Sequence, residues 1–133
     1  MAFVIDASVA GAWAFAEESS PLAEKVEAVL QSEPAVVPGI WWYETRNLLV
    51  INERSKRISK EQSESFLALI AQLPIQVDST FDETPLLDLA RHYGLSFYDA
   101  SYLELALRRG LPIATLDRAL ETAAMAAGVP LLT

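Results

Sequence analysis

The feature that most constrains this chain is its punctuation: short β-branched runs alternate with longer stretches of helical periodicity, and prolines and glycines fall at the joins. Strands are expected at 3–6 (FVID), 35–37 (AVV), 75–77 (IQV) and 113–115 (IAT), with 129–132 (VPLL) as a fifth candidate. Helical patterns occupy 8–16, 20–32, 39–57, 60–72, 82–93, 97–109 and 117–127. Pro21, Pro34, Pro38, Pro74, Pro85 and Pro112 sit at or near the boundaries, and Gly94, Gly110 and Gly128 follow helices, where a glycine closes the last turn. Alternation of this kind implies an α/β fold with a mainly parallel central sheet of four to five strands flanked by helices. At 133 residues and 52% hydrophobic content there is enough apolar surface for one core, so residues 1–133 are expected to form a single domain.

Composition removes several chemistries. There is no cysteine, which excludes disulfides, thiolate zinc sites and cysteine nucleophiles, and suits a reducing cytoplasm. The apolar start, MAFVIDASVAGAWAFA, carries no preceding Lys or Arg and is interrupted by Asp6, so it is not expected to be a signal peptide. No apolar run is long enough to span a membrane. The net charge of -8 argues against a general nucleic-acid field. Basic residues do cluster at Arg54, Lys56, Arg57 and Lys60 and at Arg108 and Arg109, where solvated helix ends are the simpler explanation of each stretch.

Ligand sites in open parallel sheets lie beyond the carboxyl ends of the strands. Asp6 ends the first predicted strand, and Asp117 follows the strand IAT. Glu44 and Asp99 stand near the beginnings of helices. Helical projection groups Glu44 with Ile40, Trp41, Leu48 and Ile51, opposite Arg46 and Glu53. It groups Asp99 with Tyr102, Leu103 and Ala106, opposite Ser101, Glu104 and Arg108. A carboxylate on an apolar stripe must be paired, protonated or bound to a cation.

Each acid alone also has a structural explanation. Asp6 or Ser8 could cap the first helix, with Ser8 the better candidate, and Asp117 could cap the last. Ser96 and Asp99 fit a capping box, and Glu44 could bond to Asn47 one turn on. Jointly these explanations do not say why four acids head for one edge of the sheet with few cations near in sequence. Clustered carboxylates repel unless a divalent cation neutralises them, and oxygen-only donors favour Mg²⁺ or Mn²⁺ over zinc. Such ions act on phosphate esters, so the residues point to metal-dependent phosphoryl chemistry. The single His92 lies at a helix end and makes a Ser8-His92-Asp triad a poor fit; no nucleotide-binding glycine motif occurs. Trp41 and Trp42 could stack on bases, although adjacent aromatics at a helix start are more often core and interface residues.

The segments VIDASVAGAWAFAEE, VPGIWWYETRNLLVINERSKRIS and GLSFYDASYLELALRRGLPIATLDRALETAA, in that order, resemble the PIN-domain ribonucleases, and most closely the VapC toxins of bacterial toxin-antitoxin pairs. The stretch around 60–90 matches weakly. The resemblance implies a PIN-like domain with an acidic site at Asp6, Glu44, Asp99 and Asp117. Thr115 matches a hydroxyl that supports the metal site, and Asn47 matches an Asn that braces it. It further implies Mg²⁺- or Mn²⁺-dependent endonucleolytic cleavage of RNA, a homodimer, and inhibition by a cognate antitoxin. On this reading Asp6 and Asp99 hold the principal ion, Glu44 and Asp117 complete its shell, and Arg46, Arg108, Arg109 and Arg118 are weaker candidates for holding RNA or antitoxin. The alternative is a catalytically inactive PIN-like protein-interaction module. A phosphoaspartyl enzyme with Asp6 as nucleophile fits less well, because Ser8 stands where a second Asp is expected.

Overall fold

The computed structural model describes residues 1–15 and 20–133. Its sheet is built from β1 (Phe3–Ile5), β2 (Ala35–Pro38), β3 (Ile75–Asp78) and β4 (Ile113–Ala114), all parallel, in the order β3-β2-β1-β4. Among the described residues seven helices flank it: α1 (Ala7–Ala14), α2 (Pro21–Val29), α3 (Gly39–Arg54), α4 (Lys60–Ala71), α5 (Glu83–Tyr93), α6 (Phe97–Arg109) and α7 (Arg118–Ala126). The four principal strands and the seven helices expected are present, with ends shifted by a few residues. The expected extension of the first helix to residue 16 falls outside the described residues.

The fifth strand candidate is reduced to a single parallel bridge between Ile113 and Leu131. Pro130 lends its carbonyl to Ile113 N, but it has no N–H with which to extend a ladder. The central strands β1 and β2 are buried at every position, as expected of parallel strands covered on both faces. β3 lies at an edge with Gln76 and Val77 exposed, and it ends at Asp78.

The chain steps from β1 to β2 to β3 in one direction, then returns to place β4 on the other side of β1. The crevice where the order reverses lies between β1 and β4, at their carboxyl ends. α6 is the central helix: it packs against β1, β2, α5 and α7, and buries Ala100 and Tyr102 through Ala106.

Two helix faces differ from the projection. α3 buries Trp41, Thr45, Leu49 and Asn52, while Ile51 is exposed. Thr45 Oγ1 donates to Trp41 O and Trp42 O at 3.0 Å, and Asn52 Nδ2 donates to Leu48 O at 2.7 Å. Polar side chains that bond back to their own helix can be buried at little cost, which a polar/apolar count overlooks. Glu104, placed on the outer face of α6 by projection, is buried. α5 packs on that side, and Glu104 Oε1 accepts from Arg108 Nε at 2.7 Å and from Asp82 N at 3.1 Å.

Candidate active site

Asp6 leaves β1 in an extended conformation and is itself the N-cap of α1; Oδ1 accepts from Ser8 N at 3.1 Å and Val9 N at 3.3 Å. The expectation that Ser8 would be the cap is therefore corrected. Ser8 lies one residue inside the helix, and its hydroxyl instead donates to Asp6 Oδ1 at 2.5 Å and accepts from Leu116 N at 2.9 Å. Thr115, buried just past β4, does the equivalent on the other oxygen. Its Oγ1 donates to Asp6 Oδ2 at 2.5 Å and accepts from Asp117 N at 3.0 Å. Two hydroxyl relays thus stitch the loop after β4 to both oxygens of one buried carboxylate.

Asp117 caps α7, with Oδ1 accepting from Leu120 N at 2.9 Å, as the sequence suggested. Asp99 lies in the first turn of α6, where Ser96 Oγ accepts from its backbone N at 3.0 Å; only this half of the expected capping box forms. Glu44 sits in the second turn of α3, half-buried, and its partner is not Asn47. Tyr102 of α6 donates its hydroxyl to Glu44 Oε1 at 2.5 Å. Asn47 is exposed and has no side-chain hydrogen bond among the described residues, so nothing in the structure gives it a bracing contact.

The four acids act on one another. Burial pushes the Asp6 carboxyl above its ordinary value, the bonds from Ser8, Thr115 and Val9 oppose this, and the Asp117 charge adds to it. Burial also raises Glu44, against the Tyr102 bond, with Asp99 and Asp6 adding repulsion. Asp99 is raised by burial and then by Asp117, with Ser96 opposing. The Tyr102 hydroxyl is raised by burial, by its bond to Glu44, and by the charges of Glu44, Asp6 and Asp99. Among the described residues, none of the groups that shift these three carboxyls is a cation. A cluster that disfavours its own ionisation, with oxygen donors only, has the donor chemistry of a site for a hard divalent cation. The acids are neighbours without being in close convergence: among the described residues no three His, Cys, Asp or Glu side chains gather tightly enough to hold an ion as they stand.

The basic candidates are mostly committed elsewhere. Arg108 donates to Glu104 Oε1, Asp78 Oδ2, Thr80 Oγ1 and Thr80 O, and Arg109 Nη1 donates to Asp78 Oδ2 at 3.4 Å. Arg46 stacks over the Trp42 ring at 4.2 Å, while Arg118 is exposed beside Asp117. Of the tryptophan pair, Trp41 is core and Trp42 is half-exposed. His92 is exposed and packs edge-on against Tyr93, away from the acids and from Ser8 in sequence and on a different element.

Sequence reasoning gave Ser8 and Tyr102 no part in the site. Ser8 was visible as a hydroxyl two residues from Asp6, and Tyr102 as a residue on the Asp99 face of its helix. Their partners come from β4's loop and from α3, and sequence distance hid both.

A parallel sheet in this order, with acids from four separate elements at its switch point, is the framework of a PIN domain. The PIN domain family model matches residues 3–125, and the chain belongs to that family. Members of the family are generally nucleases that use divalent metals. No curated protein matches the chain. Among solved structures, it is similar to PAE2754 from Pyrobaculum aerophilum, with 26% identity, 92% of this chain and 87% of that chain covered, and a TM-score of 0.65. It is also similar in fold to VapC20 of Mycobacterium tuberculosis, a toxin that cleaves the sarcin-ricin loop, with 17% identity, 91% and 94% of the two chains covered, and a TM-score of 0.60.

Proposed function

We propose that the protein is an Mg²⁺- or Mn²⁺-dependent endoribonuclease, the toxin component of a toxin-antitoxin pair. The observation that supports this reading is that Asp6, Glu44 and Asp99 are raised by burial and by repulsion within the set they form with Asp117, with no cation among the causes. Asp6 and Asp99 would hold the ion, with Glu44 and Asp117 completing its shell; Mg²⁺ keeps several waters and needs few carboxylates. When bound, the ion supplies Lewis-acid activation of water and stabilisation of the leaving oxygen.

The chain's own part is orientation. Ser8 and Thr115 fix Asp6 from both sides, and their hydroxyl protons are committed to it. Each hydroxyl oxygen also accepts a backbone N–H and Thr115 is buried, so in this reading water is the attacking group. Hydrolysis in line leaves a 5′ phosphate and a 3′ hydroxyl. As a toxin of this type the protein would work in the cytoplasm as a homodimer, held in check by a cognate antitoxin. No helix among the described residues is long and apolar enough to cross a membrane.

The inactive interaction module is favoured by one observation: Asp6 and Asp117 are both genuine helix caps. Capping uses Oδ1 of each, however, and leaves unexplained the burial of Glu44 and Asp99 beside them. The deciding measurement is thermal stability against Mn²⁺, paired with cleavage of a mixed RNA substrate. Wild type should be stabilised, by about 3 kcal/mol at a hundredfold excess over Kd. Asp99→Asn should lose both the shift and the cleavage. No shift at millimolar Mn²⁺, or undiminished cleavage by the variant, overturns the nuclease reading.

A further inference from the structure

Tyr102 is the member of the acid cluster that the proposed reaction leaves without a role. It is fully buried on α6, three residues after Asp99, so the two side chains share one side of the helix. Its hydroxyl bonds Glu44 across the gap between α6 and α3, linking residues 58 apart in sequence. The same hydroxyl feels the charges of Asp6 and Asp99. It is a neutral donor set among three carboxylates.

The need for such a donor follows from the electrostatics. Glu44 carries a flexible side chain, lies at the half-buried flank of α3, and is repelled by both Asp99 and Asp6. Left alone, it lowers its energy by swinging toward solvent and away from the other acids. The Tyr102 hydroxyl opposes that motion. It occupies one acceptor site of Oε1, so Oε2 and the remaining lone pair of Oε1 are what Glu44 can present to a cation.

We propose that Tyr102 is a positioning residue that holds Glu44 within the acid cluster and thereby sets the affinity of the site for a divalent cation. The inference rests on the metal-site reading above.

The test is a double-mutant cycle read by Mn²⁺ binding calorimetry, at a temperature where circular dichroism shows every variant folded. Tyr102→Phe removes only the hydroxyl and should weaken Mn²⁺ about 10- to 100-fold, the usual effect of losing a group that orients a ligand. In a Glu44→Ala background the same substitution should change the affinity by less than about twofold, because the side chain that the hydroxyl holds has gone. If wild type binds Mn²⁺ and Tyr102→Phe binds it equally well, the Tyr102 role is overturned and the metal site stands. An equal loss in both backgrounds overturns action through Glu44. If wild type binds no Mn²⁺, both readings fall together.

Discussion

Thr115→Val tests the hydroxyl relay most directly, because valine keeps nearly the same shape and removes only the oxygen. Thr115 is buried, and its hydroxyl is the hydrogen-bond donor to Asp6 Oδ2 and the acceptor for Asp117 N. A hydrogen bond to a charged group is worth about 1.5–3 kcal/mol, and an ordinary one about 1 kcal/mol. Asp117 N is only partly buried, so water can recover some of its loss. The expected cost is therefore about 2–4 kcal/mol, a large share of the roughly 5–15 kcal/mol that holds a domain folded. It corresponds to a melting temperature lower by on the order of 10 °C. The assay is urea denaturation followed by circular dichroism, with a chelator present so that any metal contribution is removed. Thr115→Ser restores the oxygen and deletes a buried methyl, so it should cost only about 1 kcal/mol. A Thr115→Val cost below about 1 kcal/mol, or a serine variant as damaged as the valine one, would refute the idea that the relay supports Asp6.

The same electrostatics fixes a pH dependence. Asp6, Glu44 and Asp99 are raised above their ordinary values of 3.8, 4.5 and 3.8, so the folded chain holds these protons more tightly than the unfolded one. Their contribution to the metal-free fold is greatest below those values and is lost as pH rises through the raised ones. Melting of wild type and Asp99→Asn in chelator from about pH 4 to about pH 7 should show the wild type losing ground to the variant as pH rises; a flat or opposite difference refutes the assignment. On the far side of α6, Arg108→Ala deprives buried Glu104 of its cation. Because the guanidinium is 30% exposed and Asp82 N still reaches Glu104, the cost should be about 1–2 kcal/mol in urea denaturation, below the ~3–5 kcal/mol of a fully buried pair. No measurable loss would show that the Arg108 contacts to Glu104, Asp78 and Thr80 do not fasten the loop after β3.

How much of this was legible in the sequence depended on whether the relevant partner was local. Strands and helices were legible because proline, glycine and hydrophobic period act within a few residues, and the four acids because each lies at a strand end or near a helix start. On α3 the projection turned Ile51 inward, whereas Thr45 and Asn52 hold the buried face, satisfied by backbone carbonyls that a pattern does not display. Glu104 was misread because the loop and helix that bury it arrive from α5. The capping question at Asp6 had a different flaw: cap and candidate ligand are compatible roles. Oδ1 takes the helix N–H groups while Oδ2 faces Thr115, so one carboxylate closes β1 to α1 and also stands in the cluster.

That double use explains how a chain can fold around four repelling acids. Asp6 is the most deeply buried of them and also the one with the most donors: two backbone N–H groups and two hydroxyls. Those bonds oppose the effect of burial, which still leaves the Asp6 carboxyl raised, so the most deeply buried charge is the one with the most hydrogen-bond support. Among the described residues Glu44 has a single side-chain donor, Tyr102, and remains half-exposed, and Asp99 is likewise half-exposed. Compensation thus falls off toward the open side of the crevice, where unrelieved repulsion accumulates. A divalent cation arriving from that side would meet the carboxylates that gain most from its charge, and the folding cost of the cluster would be returned as binding affinity.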